Sequence, residues 1–118
     1  MITIYHNSRC RKSREAHQLL EVSGIPFTVH FYLEDPLNES QIKALLTKLN
    51  IAPLQLIRTG EAIWKDLYKG KELNDAALIK ALATHPKLIE RPLLESASDA
   101  VIGRPIENVH TFLSSYKD

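Results

Sequence analysis

Ile2-Thr3-Ile4-Tyr5-His6-Asn7-Ser8-Arg9-Cys10-Arg11-Lys12-Ser13-Arg14 is the stretch that decides how this chain folds. Residues 2–5 are β-branched and aromatic and have the composition of a short strand. Residues 11–23 follow a helical pattern, with Ala16, Leu19, Leu20 and Val22 on the apolar face and Gly24 as the stop. Residues 26–32, Pro26-Phe27-Thr28-Val29-His30-Phe31-Tyr32, read as a second strand. Strand, helix and strand in about thirty residues make a βαβ unit, with parallel strands and a right-handed crossover.

Cys10 is the single cysteine and falls between the first strand and the first helix. Free backbone N–H groups and the positive end of a helix dipole favour a thiolate at such a position. Arg9, Arg11, Lys12 and Arg14 add positive charge around it. A buried structural thiol is the alternative, but four flanking cations are costly to bury together. Cys10 is therefore read as a reactive nucleophile.

A chain of 118 residues suits one domain with its own core. Apolar residues make up 44% and charged residues 25%, the balance of an ordinary globular protein. The net charge of +1 carries no global basic field, so neither nucleic acid nor an anionic membrane is an expected partner. No apolar run is long enough to span a bilayer, and no signal peptide is expected because the N-terminus opens on a strand pattern. One cysteine makes neither an intrachain disulfide nor a Cys-based zinc site. His17, His30, His85 and His110 lack metal-ligand spacing, so no metal is expected. A free thiol without a partner suits a reducing, cytoplasmic compartment, and any second thiol comes from another molecule.

The remaining pattern is helical and then β. Ile42, Leu45, Leu46 and Leu49 recur at helical spacing over 40–49, and Asn50 ends the run. Shorter helices are expected near 53–57 and over 62–68, where Trp64 and Tyr68 read as packing residues. Asn74 or Asp75 can cap a helix to about residue 84, with Ala77, Leu78, Ala81 and Leu82 inward. Residues 40–84 thus form a helical insert within a single domain. Residues 92–95 and 100–102 read as a hairpin around Ser96-Ala97-Ser98-Asp99, and a last helix is expected from 105 or 106 to 116. The expected fold is α/β of the thioredoxin-like layout, βαβ then ββα, with a mixed four-stranded sheet and the insert between strands 2 and 3. In that layout the third strand begins beside a proline that faces the cysteine. Pro92 is the candidate, and a cis Arg91–Pro92 bond is expected there.

Tyr5-His6-Asn7-Ser8-Arg9-Cys10-Arg11-Lys12-Ser13-Arg14 resembles the N-terminal pattern of the glutaredoxin-linked arsenate reductase family, in its short bacterial members. Ser8 stands where many members have proline. Leu56-Ile57-Arg58, Ile89-Glu90-Arg91-Pro92-Leu93 and Gly103-Arg104-Pro105 fall in the contexts of that family's three oxyanion-binding arginines. The resemblance covers nearly the whole chain. It implies arsenate or a related oxyanion as substrate, held by Arg58, Arg91 and Arg104, whose planar forks make paired hydrogen bonds to oxyanions. Taken singly, each arginine also reads as a solvated surface residue. After Arg58, Thr59-Gly60-Glu61 departs from the usual basic continuation.

The resemblance further implies a thiol–arsenate adduct on Cys10, with glutathione as co-substrate, glutaredoxin as partner and no bound cofactor. Ser13 in Cys10-Arg11-Lys12-Ser13 agrees with an external reductant, since no resolving thiol is present. Ser13 is expected to cap the helix or donate to the thiolate. His6 is either a cationic neighbour that helps ionise the thiol or a strand-end histidine bonded to backbone. Asn7 either binds oxyanion or braces the loop. Two other functions fit the layout: a glutathione-dependent thiol/disulfide reductase, and a non-enzymatic thiol-responsive regulator that binds RNA polymerase. The regulator uses a Cys-x-x-Cys switch, which Ser13 interrupts.

Overall fold

The computed structural model describes residues 1–116. The chain resolves into two compact units, one formed by Met1–Asp35 with Arg91–Asp118 and the other by Pro36–Glu90.

The first unit is built on a four-stranded sheet in the order β2-β1-β3-β4, from β1 (Ile2–Tyr5), β2 (Phe27–His30), β3 (Leu93–Glu95) and β4 (Ala100–Ile102). β1 pairs with β2 in parallel and with β3 antiparallel, and β3 and β4 form the hairpin. The sheet is therefore mixed, and the α/β reading of the sequence holds. Helix α1 (Arg11–Ser23) crosses from β1 to β2 and ends on Gly24, whose φ of 75° suits a residue without Cβ. Helix α5 (Glu107–Ser115) follows the hairpin. Ile2, Ile4, Ala16, Leu20, Leu94 and Val109 form the buried core between sheet and helices. Val22 is not on the buried face: it is 75% exposed. At 100° per residue it lies beyond the stripe defined by Ala16 and Leu20. β2 is also shorter than the apolar run suggests. Phe31 is exposed, and Phe31 C=O accepts the N–H groups of Glu34 and Asp35 in a turn that ends the strand.

The second unit holds α2 (Glu39–Leu49), a 3-10 helix (Pro53–Leu56), α3 (Ala62–Leu67), α4 (Asp75–Thr84) and a 3-10 helix (Pro86–Leu88). Asn38 and Gln41 form a reciprocal capping box at the start of α2, and Asn50 closes it in the left-handed region. Asn74 caps α4 by accepting the Ala77 N–H. Ile42, Leu45, Leu78, Ile79, Ala81 and Leu82 are buried; Ile79 joins the inward set, and Ala77 is only half-buried. Trp64 and Tyr68 stack at 5.5 Å. Ile57 and Ile89 pair as an isolated antiparallel bridge, which no periodicity in either segment announces. Among the described residues, no helix is long and apolar enough to cross a membrane.

Candidate active site

Sheet register gathers the candidate residues. Tyr5 pairs with Leu93, and Leu93 pairs with Ile102. The residues that follow Tyr5, precede Leu93 and follow Ile102 therefore leave the same end of the sheet. Those are the His6–Cys10 loop, Arg91-Pro92 and Gly103-Arg104. The Gly103 N–H continues the ladder by donating to Pro92 C=O at 2.8 Å. Cys10, Arg91 and Arg104 thus arrive in one unit from distant parts of the chain.

Cys10 is the N-cap residue of α1, with extended backbone angles, and makes no side-chain capping bond. As N-cap residue it adjoins the free N–H groups of the first turn, a helix end that attracts negative charge. The loop before it is ordered from within. Asn7 C=O accepts the Cys10 N–H at 3.0 Å, and Asn7 Oδ1 accepts the Arg9 N–H at 3.0 Å. Arg14 Nη1 donates to Ser8 C=O at 3.0 Å. Of the two readings of Asn7, the observed contacts are those of a loop brace.

Ser13 and His6 are the two buried polar residues of this region. Ser13 Oγ lies 2.6 Å from His6 Nδ1 and accepts the Asn7 N–H at 3.0 Å. Ser13 therefore does not cap the helix: it sits in the first turn and spends its hydroxyl on the strand end. The His6 pKa is lowered from its ordinary value, first by burial, then by the positive charge of His17 and Arg14. Neither reading of His6 is met as stated: a buried ring beside other positive groups resists protonation, and its Nδ1 meets the Ser13 hydroxyl rather than backbone. The ring stacks on His17 at 5.0 Å.

Arg91 is half-buried and enters a cis bond to Pro92, as expected; a second cis bond, Arg104–Pro105, carried no signal in the sequence reading. Arg104 is exposed. Asn108 Nδ2 donates to Ile102 C=O and Arg104 C=O, at 3.0 and 3.2 Å, and holds the backbone that presents Arg104. Gly103 carries a further constraint. A Cβ there would lie 2.9 Å from both Pro92 Cγ and Val109 Cγ2. The sequence reading passed over Asn108 and Gly103; an Asn in the first turn after Gly-Arg-Pro was the available signal. Arg58 is in the second unit, where it contacts Glu61 and Glu90.

A cavity of about 200 Å³ beside the loop is lined by His6, Asn7, Arg9, Phe31, Leu33 and Glu34. A larger one, about 450 Å³, lies between the β3–β4 turn and α5, with Ser96, Asp99, Asn108 and Phe112 in its wall. Glu95, at the turn end of β3, pairs with Thr3 near the start of β1, so this cavity opens at the end of the sheet away from Cys10. We assign the chemistry to the Cys10 end.

A family model described as the ArsC family matches residues 5–112. An arsenate reductase of Neisseria meningitidis is 40% identical over 114 residues, covering 95% of this chain and 97% of that protein. The uncharacterized protein YfgD of Escherichia coli is also 40% identical, over 110 residues and 92% of each chain. The solved structure of an arsenate reductase from Vibrio cholerae superposes with a TM-score of 0.88 at 41% identity, covering 93% of this chain and 95% of that one.

Proposed function

We propose that this chain, which belongs to the ArsC family, is an oxidoreductase that reduces arsenate to arsenite, with Cys10 as its nucleophile. The observation that carries the reading is the register: one sheet end delivers Cys10, at the N-terminus of α1, together with Arg91 and Arg104. A tetrahedral oxyanion needs charged donors from several directions, and two arginines on separate strand ends beside a helix N-terminus supply them.

Cys10 thiolate attacks arsenic and displaces hydroxide or water, forming a sulfur–arsenic bond. Arginine N–H groups and the helix terminus oppose the charge that develops on the arsenate oxygens. Glutathione thiolate then attacks Cys10 sulfur. The sulfur–arsenic bond breaks with its electron pair on arsenic, which leaves as arsenite, and Cys10 is left as a mixed disulfide with glutathione. Glutaredoxin exchanges that disulfide and restores the thiolate. Ser13, engaged with His6 and Asn7, offers no internal thiol for that step, and this supports an external reductant. No resident metal or cofactor enters the scheme. A free catalytic thiol of this kind suits the cytoplasm and a role in arsenic detoxification.

The test is steady-state arsenate reduction with glutathione, glutaredoxin and NADPH-coupled regeneration, comparing the natural chain with Cys10→Ser. Turnover confined to the natural chain supports the reading, and equal rates would remove it. Turnover of glutathionylated substrates without arsenate turnover would instead favour the glutathione-dependent disulfide reductase.

A further inference from the structure

β4 is the outer strand of the sheet, beside β3. The Gly103 N–H donates to Pro92 C=O, and the next pair along the hairpin is Leu93 with Ile102. Hydrogen-bonded and open pairs alternate in an antiparallel ladder, so the Ile102 C=O points away from β3. There it meets α5. Asn108 Nδ2 donates to Ile102 C=O at 3.0 Å and to Arg104 C=O at 3.2 Å. Both partners are carbonyl oxygens, so the amide nitrogen and not Oδ1 faces them, and its two N–H groups serve one carbonyl each. The Asn108 backbone N–H goes elsewhere, to Pro105 C=O at 3.0 Å. The side chain, not the helix backbone, therefore links α5 to the turn before it. Gly103 lies between the two carbonyls and is fixed independently. Its N–H is held by Pro92, and the place of a Cβ is filled by Pro92 and Val109. A bond to Ile102 alone would cover an open strand edge. The second bond reaches two residues past the strand, onto Arg104 itself.

We propose that Asn108 is a positioning residue for Arg104. Its amide clamps the turn Ile102-Gly103-Arg104 against α5 and fixes the backbone from which the exposed Arg104 side chain departs. Less freedom is then lost when the guanidinium engages an oxyanion. Every partner in the clamp belongs to the same compact unit as Cys10. The clamp asks for a carboxamide: an aspartate would set oxygens against both carbonyls, and a hydroxyl has one proton for two acceptors. The oxyanion rests on the arsenate reading; the clamp rests on the two bonds of Asn108.

The test is a double-mutant cycle on anion affinity, read by calorimetry with sulfate and with arsenate and by arsenate KM and kcat. Asn108→Ala is expected to raise both Kd values and KM by roughly threefold to tenfold, with kcat changed by less than about twofold. In an Arg104→Ala background the same substitution is expected to change Kd by less than about 1.5-fold, because the residue it positions is gone. Asn108→Leu keeps the bulk, adds no charge and lacks the donors. It is expected to match Asn108→Ala, and it takes that variant's place should the alanine fail to fold. A residue that only covered the strand edge would lower stability without this dependence on Arg104. Equal losses in both backgrounds, or no loss in the natural background, would each overturn the proposal. With no anion present, nitrogen relaxation is expected to show greater motion of the Gly103 and Arg104 amides in Asn108→Ala, and unchanged amides would overturn it as well. If the natural chain bound sulfate but did not turn over arsenate, the arsenate reading would fall, and the sulfate cycle would still decide the clamp.

Discussion

Ser13 Oγ and His6 Nδ1 lie 2.6 Å apart in the protein interior, joining the first turn of α1 to the residue that follows β1. The Asn7 N–H also donates to Ser13 Oγ, and the hydroxyl can meet the ring nitrogen in either tautomer, as donor or as second acceptor. Position 13 is therefore more than the absence of a second cysteine: its hydroxyl ties the start of α1 to the buried His6 ring and the Asn7 backbone. Ser13→Ala removes the partner of a buried nitrogen and of a backbone donor together. We expect a loss of about 1–3 kcal/mol in urea unfolding. A variant as stable as the natural chain would show that water replaces the hydroxyl.

The lowered pKa of His6 makes stability depend on pH. The unfolded imidazole takes a proton near its ordinary value of about 6.5, while the folded one resists until lower pH. In that window the unfolded state binds more protons, so stability falls as pH drops from about 6.5 towards the folded pKa. Above about 6.5 His6 is neutral in both states and contributes no slope. Urea unfolding between pH 7.5 and 5.0 is expected to show a shallower acid-side loss in His6→Gln than in the natural chain. Equal slopes would mean that His6 does not carry this term.

Gly103 packs against the ring of Pro92 and the side chain of Val109. A proline ring cannot swing away as a flexible side chain does. Gly103→Ala is expected to cost about 1–3 kcal/mol through overpacking. Because the displaced ring follows Arg91, arsenate KM is expected to rise as well. A neutral effect in both measurements would mean that α5 moves to absorb the methyl group.

Two aliphatic positions on one helix separate pattern from packing. Leu20 is fully buried and Val22 is 75% exposed. Leu20→Ala is expected to cost about 2–5 kcal/mol. Val22→Ala is expected to stay within about 0.5 kcal/mol. Chemical unfolding of the two variants checks the register of α1 directly.

Arg91→Ala is expected to weaken arsenate or sulfate binding far more than Arg11→Ala. Arg11 is exposed and paired with Glu15 on the helix surface, a contact of little worth. Calorimetric titration of both variants decides the placement of the anion site, and equal losses would move it away from the Arg91 strand end.

Local chemistry was legible in the chain as written. Strand 2–5, the helix stop at Gly24, the cap at Asn74 and the polar turn of the hairpin all depend on near neighbours, whose spacing a linear reading captures. Cys10 at a helix N-terminus was legible for the same reason, whereas the cis Arg91–Pro92 bond was expected from the thioredoxin-like layout and not from the dipeptide. What the linear reading could not supply was partner choice over distance. Ser13 could have capped its own helix, yet it bonds His6, because the register of β1 against α1 brings a buried ring nitrogen within reach. His6 was open to a cationic role, yet burial beside His17 and Arg14 disfavours its protonation. Arg58 meets Glu90 because the Ile57–Ile89 bridge brings their two segments together. The sequence by itself determined which elements form and that the single thiol opens the first helix, because helix caps, turns and strand ends are short-range effects. Only the tertiary structure decided which side chain each polar group meets, because desolvation and charge pairing depend on neighbours that the chain brings together from afar.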